Sequence, residues 1–370
     1  MKRTILLFAL FPALIFSCTT EKKEVQAPST IKELFEGDFL IGTALNGRQI
    51  NEHSSQAALI ANEFNILTAE NVMKSMLIHP APDSFRFEMP NKLFALAEKN
   101  GQKVHGHTLV WHSQLSPFMR EITDSSAMAE ALKAHIEAVA GRYKGKVYSW
   151  DVVNEAVEGD GSLRQSVFLK TMGEGYLPYA FKVASEVEPD ADLYYNDYSM
   201  TGKEKREGVI RMVKMIQESG AKIDGIGMQG HWHLDTPTIE EIEQSIVDYA
   251  ALGVKIAITE LDIDVLPSPR GISGAEISQN AELQAELNPY TAGLPDSVDA
   301  ALSKRYADIF ALFYKHRDKI DRVTFWGVND GNSWKNGFPV RGRTNYPLLF
   351  DRDNKRKKAY DAIMSLKKEE

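Results

Sequence analysis

A single cysteine, Cys18, stands in this chain of 370 residues, so no intrachain disulfide can form. Long hydrophobic runs are equally scarce: the apolar stretch 5–16 is twelve residues long, too short to cross a bilayer as a helix. Positive charge is in deficit, with 43 Lys and Arg against 51 Asp and Glu, a net charge of -8 that grows more acidic without Lys2 and Arg3. That balance argues against a nucleic-acid partner. No glycine-rich phosphate loop follows the first strand-like segment, which weakens an open, doubly wound nucleotide-binding sheet. What remains is an ordinary globular composition, 43% hydrophobic and 25% charged, enough to bury a sizeable core.

The N-terminus has the layout of a processed leader: Lys2 and Arg3, the apolar run, then Ser17 and Cys18. Residues 14–18 resemble a bacterial lipobox, which makes 1–17 a lipoprotein signal peptide and Cys18 the acylated first residue of the mature chain. Residues 18–30 (CTTEKKEVQAPST) are polar and patternless and form a flexible tether. The expected location is the cell envelope, anchored by lipid at the outer membrane on its periplasmic or surface face. The membrane would then be a partner through that anchor alone.

From residue 31 to 370, short apolar runs alternate with segments of helical period. Strands are expected over 39–45, 64–69, 103–110, 147–153, 192–196, 223–229, 254–259 and 322–328. Helices are expected over 56–63, 91–100, 127–143, 178–187, 204–219, 239–252, 300–317 and 357–366. Near-continuously apolar strands alternating with helices are the pattern of parallel βα units buried on both faces. Eight such units in one domain point to a closed α/β architecture, a (β/α)8 TIM barrel. The stretch 263–299, with four prolines and little strand signal, reads as a long loop over the rim.

A barrel concentrates chemistry at the C-terminal ends of its strands. Glu70 and Asn71, His107 and Trp111, Asn154 and Glu155, Asn196 to Tyr198, Gln229 and His231, Glu260 and Asp262, and Trp326 and Asn329 all fall there. Two of these groups are glutamates that abruptly end apolar runs. Two carboxylates facing one cleft can act as general acid and nucleophile, or as acid and base, in glycoside cleavage. Trp111, Trp326 and Trp334 lie at or just past strand ends, where indoles pack against the C–H faces of sugars. Asn71 and Lys74 have reach to sugar hydroxyls. His105 and His107 have the same-face spacing of zinc sites, which keeps a metallohydrolase as an alternative. The rim, however, offers tryptophans and amides more than further ligands, and that mechanism leaves two glutamates unused. His105 is assigned a structural place, and neither a metal nor an organic cofactor is expected.

The motifs VHGHTLVWH (104–112), WDVVNE (150–155), ITELD (258–262) and VTFWGV (323–328), with AENVMK (69–74) and PVRGRT (339–344), resemble the signatures of family ten glycoside hydrolases, the endo-β-1,4-xylanases. The likeness extends from about residue 40 to 360. It implies a retaining double displacement on xylan or xylo-oligosaccharides. Glu155 would be the acid/base and Glu260 the nucleophile. Asn154 would hold the sugar 2-hydroxyl, and His107, Trp111, Gln229 and His231 would wall the cleavage subsite. Glu70, Asn71 and Lys74 would bind the next xylose, Tyr198 would contribute a further contact, Trp326 and Trp334 would roof the groove, and Asp262 would orient its neighbours. A monomer is expected. The alternatives are a retaining β-1,4-glucanase and a non-catalytic surface glycan-binding lipoprotein.

Overall fold

The structure is a computed structural model, and it describes residues 28–51, 53–269 and 282–366. The leader, Cys18 and most of the tether lie outside the described residues. Eight strands form the wall: β1 (Leu40–Leu45), β2 (Ile66–Ala69), β3 (Lys103–Trp111), β4 (Ser149–Asn154), β5 (Asp192–Asp197), β6 (Gly225–Met228), β7 (Lys255–Asp264) and β8 (Ile320–Phe325). Each pairs in parallel with the next, and β8 returns to β1 with Arg322 opposite Leu40 and Phe325 opposite Thr43. The sheet is therefore a closed barrel with helices around it, as expected.

Helices follow from amphipathic segments with start and stop signals. Lys203–Glu218 buries Val209, Met212, Val213 and Ile216 against the sheet. Ile239–Ala250 opens on a capping box in which Thr238 and Glu241 satisfy each other's backbone N–H groups. Inside the wall, two glycines are required by close approach. A Cβ on Gly106 would sit 2.1 Å from Trp150 Cε3, and one on Gly225 would sit 2.0 Å from Tyr194 Cε1. Large rings on β4 and β5 thus cross bare backbone on the neighbouring strand.

Several boundaries differ from the sequence expectation. β7 runs on to Asp264 rather than stopping near Thr259, because its outer part pairs with a short continuation of β6, His231–His233. Of the segment expected as loop from 263 to 299, residues 263 and 264 belong to β7 and 296–299 to the helix Asp296–Lys315, while 270–281 lie outside the described residues. β8 ends at Phe325, before Gly327 takes φ 132°. The two ends of the domain are tied together at Glu63, whose carboxylate accepts from the Ile31 N–H (3.3 Å), the Tyr360 hydroxyl (2.8 Å) and Arg356 (2.6 Å).

Candidate active site

Glu155 sits immediately after β4 with φ 58°, in the left-handed region that a side chain with a Cβ rarely adopts. Neighbouring strand ends impose this. Its N–H donates to the Asn196 carbonyl at 2.8 Å, and the next two N–H groups, of Ala156 and Val157, donate to the Tyr195 hydroxyl at 3.0 and 3.1 Å. The carboxyl is aimed inward: Trp111 Nε1 donates to Oε2 at 2.7 Å and Gln229 Nε2 to Oε1 at 3.0 Å. Backbone strain at a point so fully held is the signature of a working position.

Glu260 faces it from β7. Asn196 Nδ2 donates to its Oε1 at 2.9 Å, and His231 Nε2 lies 3.0 Å from its Oε2. Behind His231, Nδ1 lies 3.1 Å from Asp262 Oδ2, which also accepts from Trp334 Nε1 at 2.7 Å. Both glutamates are buried and line one cleft with Glu70, Asn71, Lys74, His107, Trp111, Asn154, Gln229, His231, Trp326 and Trp334. Asp262 stands behind this wall. Larger hollows of about 540 and 400 Å³ lie elsewhere, and neither brings two buried carboxyls together.

The surroundings of Glu155 favour its protonated form. Burial, then the charge of Asp197 and more weakly that of Glu260, pushes the Glu155 carboxyl up to about 7, against hydrogen bonds from Gln229 and Trp111 that favour the anion. A carboxylic acid that keeps its proton near neutrality beside a second glutamate is what general-acid chemistry needs. Burial disfavours a charged His231, but Asp262 and Glu260 outweigh it and raise its pKa above the ordinary histidine value.

Lys74 is buried rather than solvated. Its Nζ donates to Asn71 Oδ1 at 3.0 Å and lies 4.8 Å from the Trp111 ring centroid, while Asn71 Nδ2 donates to Glu70 at 3.0 Å. Burial lowers the Lys74 pKa and raises that of Glu70, so this polar rank is held ready for a ligand with hydroxyls. Trp326 and Trp334 line the same cleft, with ring centroids 5.4 Å from His107 and 4.7 Å from His231 respectively.

Of the expected contacts, Tyr198 does not line this cleft. Its hydroxyl accepts from Arg164 Nη2 at 2.8 Å and its ring lies 4.1 Å from Lys205 Nζ. His105 is structural: Nδ1 is 2.8 Å from Ser149 Oγ, and Nε2 shares Asp151 Oδ2 with His107 Nδ1 at 3.0 and 2.8 Å. The two histidines with zinc-like spacing thus both hold one carboxylate. Among the described residues no group of three or more His, Cys, Asp or Glu side chains could hold a metal ion. Sequence reasoning misses Gln114, which also lines the cleft on a φ of 42°, and gives no role to Asn196, although its strand-end position is a signal.

The model of glycosyl hydrolase family 10 matches residues 30–366. An endo-1,4-β-xylanase A from Xylanibacter ruminicola is 43% identical, over 92% of this chain and 94% of its own length. An endo-1,4-β-xylanase from Geobacillus stearothermophilus is 39% identical, over 91% and 98%. Among solved structures, a family 10 endoxylanase retrieved from a sugarcane soil metagenome superposes with a TM-score of 0.88 at 44% identity, covering 91% of this chain and all of that one. A xylanase from Paenibacillus barcinonensis complexed with a conduramine derivative gives 0.82 at 37% identity, covering 90% and 98%.

Proposed function

The chain belongs to glycosyl hydrolase family 10, and on that premise we propose that it is a retaining endo-1,4-β-xylanase that cleaves xylan and xylo-oligosaccharides. The observation that carries the mechanism is the pair itself: Glu155, protonated near neutrality, and Glu260, fixed by Asn196 and His231, in one tryptophan-lined cleft.

In the first step Glu260 attacks the anomeric carbon, the glycosidic C–O bond breaks, and the Glu155 proton passes to the departing oxygen. The glycosyl-enzyme so formed has no charge on Glu260, so one of the groups holding the Glu155 proton is gone. Glu155 then takes a proton from water as the water oxygen attacks the same carbon, which releases Glu260 and restores both groups. Two inversions at one carbon give net retention. Asn154, His107, Gln229 and His231 surround the reacting sugar, and Glu70, Asn71 and Lys74 take the hydroxyls of the next one.

Release of reducing ends from unbranched soluble xylan and from carboxymethylcellulose tests this, with Glu260→Ala as control. Cleavage of xylan alone, lost in the control, is expected. Equal action on the cellulose derivative would favour the glucanase reading, and no action on either in folded protein would favour a glycan-binding role. From the lipobox-like run before Cys18 we also infer lipid anchoring at the cell envelope. Cys18→Ser should then move the protein from the membrane fraction to the soluble one.

A further inference from the structure

Asp197 and Lys205 form a buried ion pair, 2.7 Å between Oδ1 and Nζ, that the double displacement leaves without a role. We propose that Asp197, clamped by Lys205 and Tyr195, is a positioning residue for Glu155, fixing the turn that carries it and placing a permanent negative charge behind its carboxyl. The proposal rests on Glu155 being the acid/base.

The contacts converge on one side of Glu155. Asp197 Oδ2 is hydrogen-bonded to the Tyr195 hydroxyl, and that same hydroxyl accepts the Ala156 and Val157 N–H groups directly after Glu155. The Val157 N–H also reaches Asp197 Oδ2 at 3.4 Å. On its other oxygen Asp197 accepts the Tyr198 N–H at 2.8 Å and Lys205. Lys205 comes from the helix Lys203–Glu218, where it is 1% exposed, so a lysine on an otherwise solvated helical turn is turned inward onto this carboxylate and the Tyr198 ring. An ion pair so deeply buried is costly unless its carboxylate is well hydrogen-bonded, and here each Asp197 oxygen has two contacts.

Titratable and charged groups surround Glu155: Asp197 at the end of β5, the neutral Tyr198 just after it, Glu260 on β7, Lys74 after β2 and Arg164 beyond β4. His107 and His231 line the same cleft. After burial, Asp197 is the largest influence favouring the protonated carboxyl, ahead of Glu260. The difference matters to the cycle. The charge of Glu260 vanishes in the glycosyl-enzyme, whereas that of Asp197 persists, so Glu155 remains basic enough to take a proton from water in the second step.

The test is the pH dependence of kcat/KM on unbranched soluble xylan for the wild type, Asp197→Asn and Asp197→Asn/Lys205→Met. Asp197→Asn removes a negative neighbour and leaves an uncompensated ammonium, both of which favour the Glu155 anion. Its basic limb should move down by about one pH unit. The double variant removes both charges, and its limb should fall between the two. If the single variant does not fold, judged by circular dichroism, the double against the wild type reads a smaller shift in the same direction. Coincident limbs with a uniformly lower rate would overturn the proposal and leave the ion pair as scaffold. Glu155→Ala, assayed on an aryl β-xylobioside with a good leaving group, tests the foundation separately. A basic limb that survives there belongs to another group, and the acid/base reading falls with the proposal built on it.

Discussion

His231 Nε2 lies 3.0 Å from Glu260 Oε2, and the other nitrogen of the same ring lies 3.1 Å from Asp262. The imidazole therefore joins two carboxylates, one of which gives up its charge to the sugar in the proposed mechanism. Such a contact should matter more to the transition state than to the bound substrate. His231→Ala is expected to lower kcat by about 10- to 100-fold, the worth of one charge-assisted hydrogen bond, with a smaller change in KM. Steady-state kinetics on a xylo-oligosaccharide would show it, and a change confined to KM would refute it.

The same residue gives a prediction for stability. Its folded pKa lies above the ordinary value of about 6.5, so the proton it holds stabilises the native state. That contribution is complete below about pH 6.5 and is lost as pH rises through the higher folded value. The difference in melting temperature between wild type and His231→Asn should shrink as pH is raised across that window. A difference that grows with pH would contradict the sign.

On the proposed mechanism Glu155, with its carboxyl pushed up to about 7, sets the basic limb of the first step. Above that pH the acid is spent and kcat/KM on xylan should fall tenfold per unit. Glu155→Gln should abolish cleavage of xylan by several orders of magnitude. On an aryl xylobioside whose leaving group needs no proton, it should still show a burst of released phenol, because Glu260 remains able to attack. Absence of that burst in folded protein would exchange the two roles or remove them.

Strand ends are legible because an apolar run inside a barrel breaks into an amide and a carboxylate almost only at its mouth, where the chain leaves the core. Asn154, Glu155 and Glu260 stand out on that ground. The burial of Lys74 is not legible, since a lysine three residues past a strand looks the same whether it is solvated or packed on an indole. Lys205 is hidden for a related reason: it sits in a helix rich in charge, and only the turn of that helix toward Asp197 distinguishes it. The left-handed backbone of Glu155 and of Gln114 leaves no mark in composition. The last two residues of β7, 263 and 264, look like loop in the sequence because they are pinned by His231–His233, a long-range pairing that no local pattern encodes.

Lys74 offers a test of the polar rank beside the reacting carbon. Its Nζ is held by Asn71 and lies 4.8 Å from the Trp111 ring centroid, while Trp111 in turn donates to Glu155. Lys74→Met keeps most of the packing and removes the charge. KM for xylotriose should rise by about tenfold, near one hydrogen bond to a sugar hydroxyl, with kcat reduced less. A larger loss in kcat than in binding would mean that Lys74 acts through Trp111 on the acid.

Gly106 lies between His105 and His107, the two residues that hold Asp151, and its bare backbone faces the Trp150 indole. A Cβ there would meet Cε3, Cζ3 and Cδ2 of that ring at 2.1 to 2.5 Å, with β3 and β4 both hydrogen-bonded in place. Neither the ring, buried to 0% exposure, nor the strand can yield without opening the wall. Gly106→Ala should therefore cost about 1–3 kcal/mol, the range for overpacking a filled core, and lower the melting temperature by several degrees. Because the displaced segment carries His107 into the cleft, activity should fall with stability. Adding Trp150→Phe makes room for the methyl group. The double variant should recover part of the melting temperature, whereas two independent losses that simply add would show that the two residues do not share the space.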